Sequence, residues 1–169
     1  MALLPLIPLA QFPEGLADAV RRGLSTRMLS STTPVQVWAH RPEVAAAWLV
    51  ALDQMHNHGV LDERLRELVR LRIASFTTCR ACQTARKSAT VTDADLACLA
   101  SSDPRFSEAE RVALRFAELF ASDPLAIDEA IFADLGAWFS VPQIVELNMF
   151  CALMLAGGRM TQAQRAYEE

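Results

Sequence analysis

Apolar residues in this chain return at three- and four-residue steps almost from end to end, and no run alternates as a half-buried strand requires. Side chains so spaced share one face of a helical turn, so a chain patterned this way buries its core as helix stripes. Val44, Trp48, Leu52 and Met55 form one stripe, with Pro42 suited to an opening turn and Gly59 to a stop. Leu65, Leu68, Val69, Ile73 and Phe76 form a second, which Asp62 is placed to cap. Val112, Phe116 and Phe120, with Ala113 and Ala117, give a third. Capping-box spacing marks three helix starts: Ser107 with Glu110, Ser140 with Gln143, and Thr92 with Asp95 as a weaker variant. The segment from Val141 to Ala156 is apolar almost all round, which predicts the central buried helix. The expected fold is an all-α, single-domain bundle of roughly seven or eight helices.

Composition narrows the function. A hydrophobic fraction of 52% with 21% charge is that of a soluble globular chain, slightly rich in apolar residues, and the excess is expected to cover a subunit interface. The net charge of −4 argues against a nucleic-acid partner, which calls for a basic face. Arg64, Arg66, Arg70 and Arg72 cluster, but Glu63 and Glu67 are interleaved with them. The apolar opening, Ala2 to Ala10, lacks a basic start and contains Pro5 and Pro8, so it reads as an arm lying over the protein rather than a signal peptide. The run Phe150 to Ala156 falls far short of the ~20 residues of a membrane span. No membrane partner is expected, and the expected compartment is the reducing cytosol. There a Cys-x-x-Cys pair means redox chemistry or metal rather than a structural staple.

That pair is Cys79 and Cys82, just after the second stripe. Thr77-Thr78 is a natural place for a new helix to begin, and residues three apart share a helix face, so the two sulfurs can approach bonding distance. A helix N-terminus stabilises thiolate, the reacting species, and Arg80 and Arg86 act in the same direction. A zinc site needs two more ligands at regular spacing, whereas Cys98 and Cys151 stand alone on apolar faces and read as packing residues, so no metal is expected. Two inert cysteines at a helix start are the plainer reading of the motif. Glu67 lies in line with Leu71 and Ala74, a small apolar flank where another helix can pack. Burial there would suit the carboxylate to proton transfer; an ordinary surface ion pair with Arg64 or Arg70 is the equal alternative. His40, His56 and His58 sit near helix ends and carry no assigned role. No nucleotide or flavin fingerprint is present, so no cofactor is expected.

Glu67, the twelve-residue step to Cys79, and Cys82 together resemble the signature of the alkylhydroperoxidase D-like group within the carboxymuconolactone decarboxylase family. The likeness extends through His40-Arg-Pro-Glu-Val, Leu61-Asp-Glu-Arg-Leu-Arg-Glu-Leu-Val, the Ser107-to-Phe120 helix and Gln143-Ile-Val-Glu-Leu, from about Val35 to Gly158. It divides the chain into an N-terminal arm and short helix (1–34), an alkylhydroperoxidase D-like domain (35–160) and a C-terminal tail (161–169). It implies a homo-oligomer, trimer or hexamer, with the dithiol near subunit contacts. It also implies the site residues: Cys82 attacks a hydroperoxide and becomes a sulfenic acid, Cys79 resolves it to a disulfide, and Glu67 serves the proton relay. An external dithiol or thioredoxin-like protein returns the electrons. The helix-terminus argument instead favours Cys79 as the more acidic thiol.

One position departs from the family pattern. Four residues after the second cysteine the family has a histidine, and this chain has Arg86. Histidine exchanges a proton near neutral pH and arginine does not. Arg86 is left to favour the Cys82 thiolate by its charge, or to pair with Glu67 and fix it as an anion. The expected function is a thiol-dependent peroxidase cycling Cys79 and Cys82. The alternatives are a non-catalytic or redox-responsive oligomer of the same fold, and a carboxymuconolactone decarboxylase-like enzyme, a branch that does not need the dithiol.

Overall fold

A computed structural model of the chain describes residues 2–78 and 80–167. Among them are nine α-helices and no strand, which bears out the all-α expectation. They are α1 (Glu14–Ser25), α2 (Thr33–Trp38), α3 (Pro42–Asn57), α4 (Glu63–Thr77), α5 (Arg80–Thr84), α6 (Asp93–Ala97), α7 (Glu108–Ser122), α8 (Glu129–Gly136) and α9 (Val141–Gln164). Their packing divides into two compact units, one of residues up to Gly59 with those from Arg159 onward, the other Val60–Gly158.

In the first unit α1 packs on α3 around Leu16, Val20, Val35, Ala45 and Leu49. The opening segment is an arm held by its backbone: the Leu3 N–H donates to the Gln164 carbonyl at 2.9 Å and the Ile7 N–H to that of Gln36 at 3.1 Å. On α3 Ala45, Leu49 and Met55 are buried and Leu52 packs on the same core, whereas Val44, the first residue of the expected stripe, is exposed. With alanine at 45, 46 and 47 the apolar pattern there fits two neighbouring faces, and packing on α1 selects one of them.

In the second unit the enclosed helix is α4. The Asp62 carboxylate caps it, accepting from the N–H groups of Arg64 and Leu65, and it buries Leu65, Leu68, Val69, Leu71, Ile73 and Ala74. α7 lies along it, bringing Leu114 onto Leu68 and Leu71 with Val91 and Phe106. Both expected capping boxes that open α6 and α7 are complete, Thr92 with Asp95 and Ser107 with Glu110. Arg64 joins these helices, donating through Nε to Glu110 at 2.7 Å and through Nη1 to Asp95 at 3.1 Å. With the Thr92 N–H and hydroxyl also on Asp95, Arg64 holds that carboxyl well below the usual carboxylate range.

The central helix expected at Val141 to Ala156 is a correction. In α9 Leu147, Phe150 and Cys151 are buried, but Val141, Val145 and Met149 are 74%, 51% and 54% exposed. Ala152 and Ala156 continue the open face. Apolar residues all round a helix say that it avoids water, not which neighbours cover it. α4 reads as less apolar because two of its enclosed residues, Glu67 and Arg70, are charged and satisfy each other. By length and composition α9 is also the one described helix able to cross a membrane; its Glu146 instead accepts from the N–H groups of Val60 and Leu61.

Candidate active site

The site lies where α4 ends. Thr77 is the last helical residue, and Thr78 takes the left-handed conformation (φ 52°), which turns the chain out of α4 and ends its hydrogen-bond ladder. The new helix expected at Thr77-Thr78 therefore starts later, at Arg80. Cys79 lies outside the described residues. Cys82 sits in α5, partly buried. This helix is barely one turn long, so the thiolate-stabilising field expected of a helix N-terminus is that of a single turn.

So short a helix cannot hold itself, and side chains of α4 and the following turn fasten it. The Gln83 amide donates to the Ala74 carbonyl at 3.1 Å. Arg70 does more: Nη1 donates to the Cys82 carbonyl at 2.7 Å and Nη2 to the Ala85 carbonyl at 2.6 Å. These acceptors belong to the C-terminal end of α5, where a cation is favoured.

Glu67 fixes Arg70. The carboxylate is 2% exposed and takes Arg70 bidentately, Nε on Oε2 at 2.7 Å and Nη2 on Oε1 at 2.8 Å. Its Oε1 also accepts the Lys87 backbone N–H at 3.0 Å. Of the two readings left open by the sequence, burial and an ion pair with Arg70, the structure combines both. Glu67 is a buried carboxylate with three donors, tying Lys87 directly, and Cys82 and Ala85 through Arg70, to one face of α4.

Arg86 does not join this cluster. It is exposed, its Nη1 donates to the carbonyls of Gln83 and Thr84 at 2.7 and 3.1 Å, and its Nη2 lies 3.8 Å from Asp93. The pairing of Arg86 with Glu67 weighed from the sequence does not form; Arg70 holds that place. Arg86 is a second cation on the end of α5.

Lys87 is the residue sequence reasoning missed. It is partly buried, and its ammonium lies within the fields of Arg70 and Glu67. Burial and, after it, the charge of Arg70 lower its pKa to about 8, against the opposing pull of Glu67. Nothing in its spacing marks it out; only its place directly after Arg86 could have drawn attention. Cys98 and Cys151 are free thiols, and burial pushes that of Cys151 far up, which suits a packing residue. Among the described residues no three His, Cys, Asp or Glu side chains gather to hold a metal ion.

No protein-family model matches the chain. The uncharacterized protein YnjA of Escherichia coli K12 is 29% identical over 143 residues, which span 78% of this chain and 76% of that protein. Among solved structures, the debrominase Bmp8 superposes with a TM-score of 0.82 over 99% of this chain and 92% of its own, at 18% identity. An uncharacterized peroxidase-related protein from Ralstonia eutropha, solved as an alkylhydroperoxidase AhpD core, gives 0.76 over the same shares at 18% identity. The fold is that of the alkylhydroperoxidase D-like proteins. In this chain, the alkylhydroperoxidase D-like fold carries Cys82 on a short helix clamped by Glu67 and Arg70. A Cys→Ala variant of the debrominase, in complex with 2,3,4-tribromopyrrole, aligns with a TM-score of 0.80.

Proposed function

We propose that this protein is a thiol-dependent peroxidase that reduces hydroperoxides through Cys82 and Cys79. The observation that carries the reading is the clamp: a buried ion pair, costly to desolvate, spends four of its contacts on the backbone and carboxylate geometry that sets Cys82 against α4. Such positioning is what a reacting sulfur needs and what an inert cysteine does not. In the first step the Cys82 thiolate attacks the outer peroxide oxygen; the O–O bond breaks, giving a sulfenic acid and an alkoxide that takes up a proton. The Cys79 thiol then displaces water from the sulfenic acid, forming the disulfide, and an external dithiol or thioredoxin-like protein returns two electrons and two protons. The chemistry suits a reducing cytosol.

A second reading comes from the debrominase likeness. The same dithiol can deliver its electron pair to a bromoarene, exchanging carbon–bromine for carbon–hydrogen with release of HBr and formation of the disulfide. A single experiment separates them. The reduced protein is mixed with one equivalent of a small alkyl hydroperoxide or of a bromopyrrole and the intact mass is followed. The peroxidase reading expects loss of two hydrogens with the hydroperoxide, abolished in Cys82→Ser. Loss only with the bromopyrrole moves the function to dehalogenation, and a reduced pair stable to both leaves the redox reading without support.

The protein works as a homo-oligomer, trimer or hexamer. The open face of α9 supports this: with Trp138, its exposed apolar residues present on the order of 500 Å², at the upper range of what monomers leave bare. Two copies meeting there would cover about 1,000 Å² in all, the lower bound for a specific interface.

A further inference from the structure

We infer that Thr78 is a positioning residue of the dithiol site: its left-handed backbone fixes the path that returns the chain from α4 to Cys82. The inference rests on the dithiol cycle of the proposed function and not on its oxidant. Thr78 stands at φ 52° and ψ 18°. A residue branched at Cβ is strained there, and glycine or asparagine is the usual occupant. Arg27 and Arg165 also have positive φ, beyond α1 and α9, but neither is branched at Cβ and neither adjoins a cysteine. Strain of this kind persists only where the surroundings dictate it, and both sides of this turn are held. Before it, Thr77 is buried, donates its hydroxyl to the Ala74 carbonyl at 3.1 Å and meets α9 at Gly158. After it, Gln83 reaches back to the same Ala74 carbonyl at 3.1 Å, and Arg70 holds the carbonyls of Cys82 and Ala85.

The Thr78 side chain is exposed and its hydroxyl donates to the neighbouring Thr77 carbonyl at 2.8 Å, so a substitution acts mainly through the backbone. Glycine would take this conformation without strain, and would also open other paths to the chain. A stiff threonine gives up stability and narrows the turn to one path. Cys82 is held by the clamp and Cys79 directly follows Thr78, so freedom at Thr78 becomes freedom of one sulfur relative to the other. Closure of an internal disulfide depends on how often the two sulfurs meet in bonding geometry, and the narrowed turn raises that frequency. Closure can be read without a peroxide. One protein thiolate attacks a small neutral aromatic disulfide, breaks its S–S bond and releases one aromatic thiolate. The other protein thiolate then attacks the mixed disulfide, releases the second aromatic thiolate and leaves the Cys79–Cys82 disulfide.

The experiment follows both releases in stopped flow for the reduced protein, Thr78→Gly and Thr78→Asn, with urea denaturation of each. All three carry Cys98→Ser, so that only the dithiol reports. Thr78→Gly should raise the urea midpoint, because the strain is gone, yet slow the second, internal release at least about fivefold. The first release needs only one accessible sulfur and should stay within about twofold. Thr78→Asn accepts the left-handed conformation with less freedom than glycine and should close within about twofold of the parent. A purely structural residue would leave closure unchanged in the stabilised variant. Closure by Thr78→Gly at the parent rate, a lowered urea midpoint in that variant, or a parent with no internal release each overturns the inference. Inertness toward hydroperoxides alongside rapid internal release defeats the peroxidase reading and leaves the role of Thr78 standing.

Discussion

Arg70 closes on Glu67 through two hydrogen bonds of 2.7 and 2.8 Å and still has donors for the carbonyls of Cys82 and Ala85. The pair links the fold to the chemistry, because the carboxylate that orients the guanidinium also holds the Lys87 N–H on the far side of the turn. A buried pair of this kind is weak as a source of stability but strong as a source of position, since each partner is costly to leave alone.

Removing one partner should therefore show in both properties. Glu67→Leu leaves a buried guanidinium without its anion and should cost about 3–5 kcal/mol in chemical denaturation. The double variant Glu67→Leu/Arg70→Leu should cost less than the sum, because no charge is stranded. It should still slow oxidation of Cys82, because the Cys82 and Ala85 carbonyls lose their donor. A double variant that reacts at the wild-type rate would remove the positioning role.

Much of this architecture was legible in the sequence. Asp62, Thr92 and Ser107 announced three helix starts, and the caps form as their spacing requires, because capping is a local matter of a few residues. Glu67 was legible as a site residue, yet its partner was not: Arg64, Arg70 and Arg86 all lay at plausible spacings. Arg64 is taken by Asp95 and Glu110 and Arg86 by the end of α5, choices made by helix packing that no local pattern contains. Lys87 was invisible for the same reason, since burial by distant elements shifts its proton affinity.

Acid should unfasten the second unit at Asp95. Its folded pKa is depressed, chiefly by the Arg64 hydrogen bond, so its contribution is complete above the unfolded value near 4 and declines as pH falls below it. Asp95→Asn should lose about 1.5–3 kcal/mol at pH 7, the worth of hydrogen bonds to a charged group. The gap between wild type and variant, followed by urea denaturation, should narrow steadily below pH 4. A constant gap down to pH 2 would place the effect elsewhere.

Lys87 should behave in the opposite sense. Its folded pKa of about 8 lies below the unfolded value, so folding disfavours its charged form, and stability should rise as pH climbs from about 8 toward 10.5. Lys87→Met removes that cost and should stabilise the protein at pH 7 by roughly 1–2 kcal/mol. Calorimetry at pH 7 and pH 10 reads the difference; equal gains at the two pH values would contradict the linkage.

Gly158 lets α9 approach the end of α4. A Cβ there would stand 2.7 Å from the Thr77 hydroxyl and 3.0 Å from its Cβ, so Gly158→Ala forces the buried Thr77 aside just before the dithiol turn. The cost should be about 1–3 kcal/mol, as for other overpacked sites. Thr77→Ala removes the hydroxyl and methyl that collide, so the double variant should be less impaired than additivity requires. Additive losses in thermal unfolding would mean that the two side chains do not meet.

The open face of α9 offers the last test. Val141, Val145, Met149, Ala152 and Ala156 follow one another at steps of four, four, three and four, so they line a single face, and no charged residue interrupts it. Glu146, the one acid in this stretch, turns away to the backbone of Val60 and Leu61. A surface this apolar has no charge with which to select a foreign partner, whereas two copies of one helix face are alike in chemistry and can meet about a symmetry axis. Met149→Asp puts a carboxylate in the middle of the stripe, where a like charge from the second copy would face it across a dry contact. Because Met149 is exposed, the folded chain itself should tolerate the change within about 0.5 kcal/mol. Sedimentation should then find a smaller species for the variant than for wild type, a folded monomer or a half-assembly; an assembly of unchanged size would place the subunit contact on another surface.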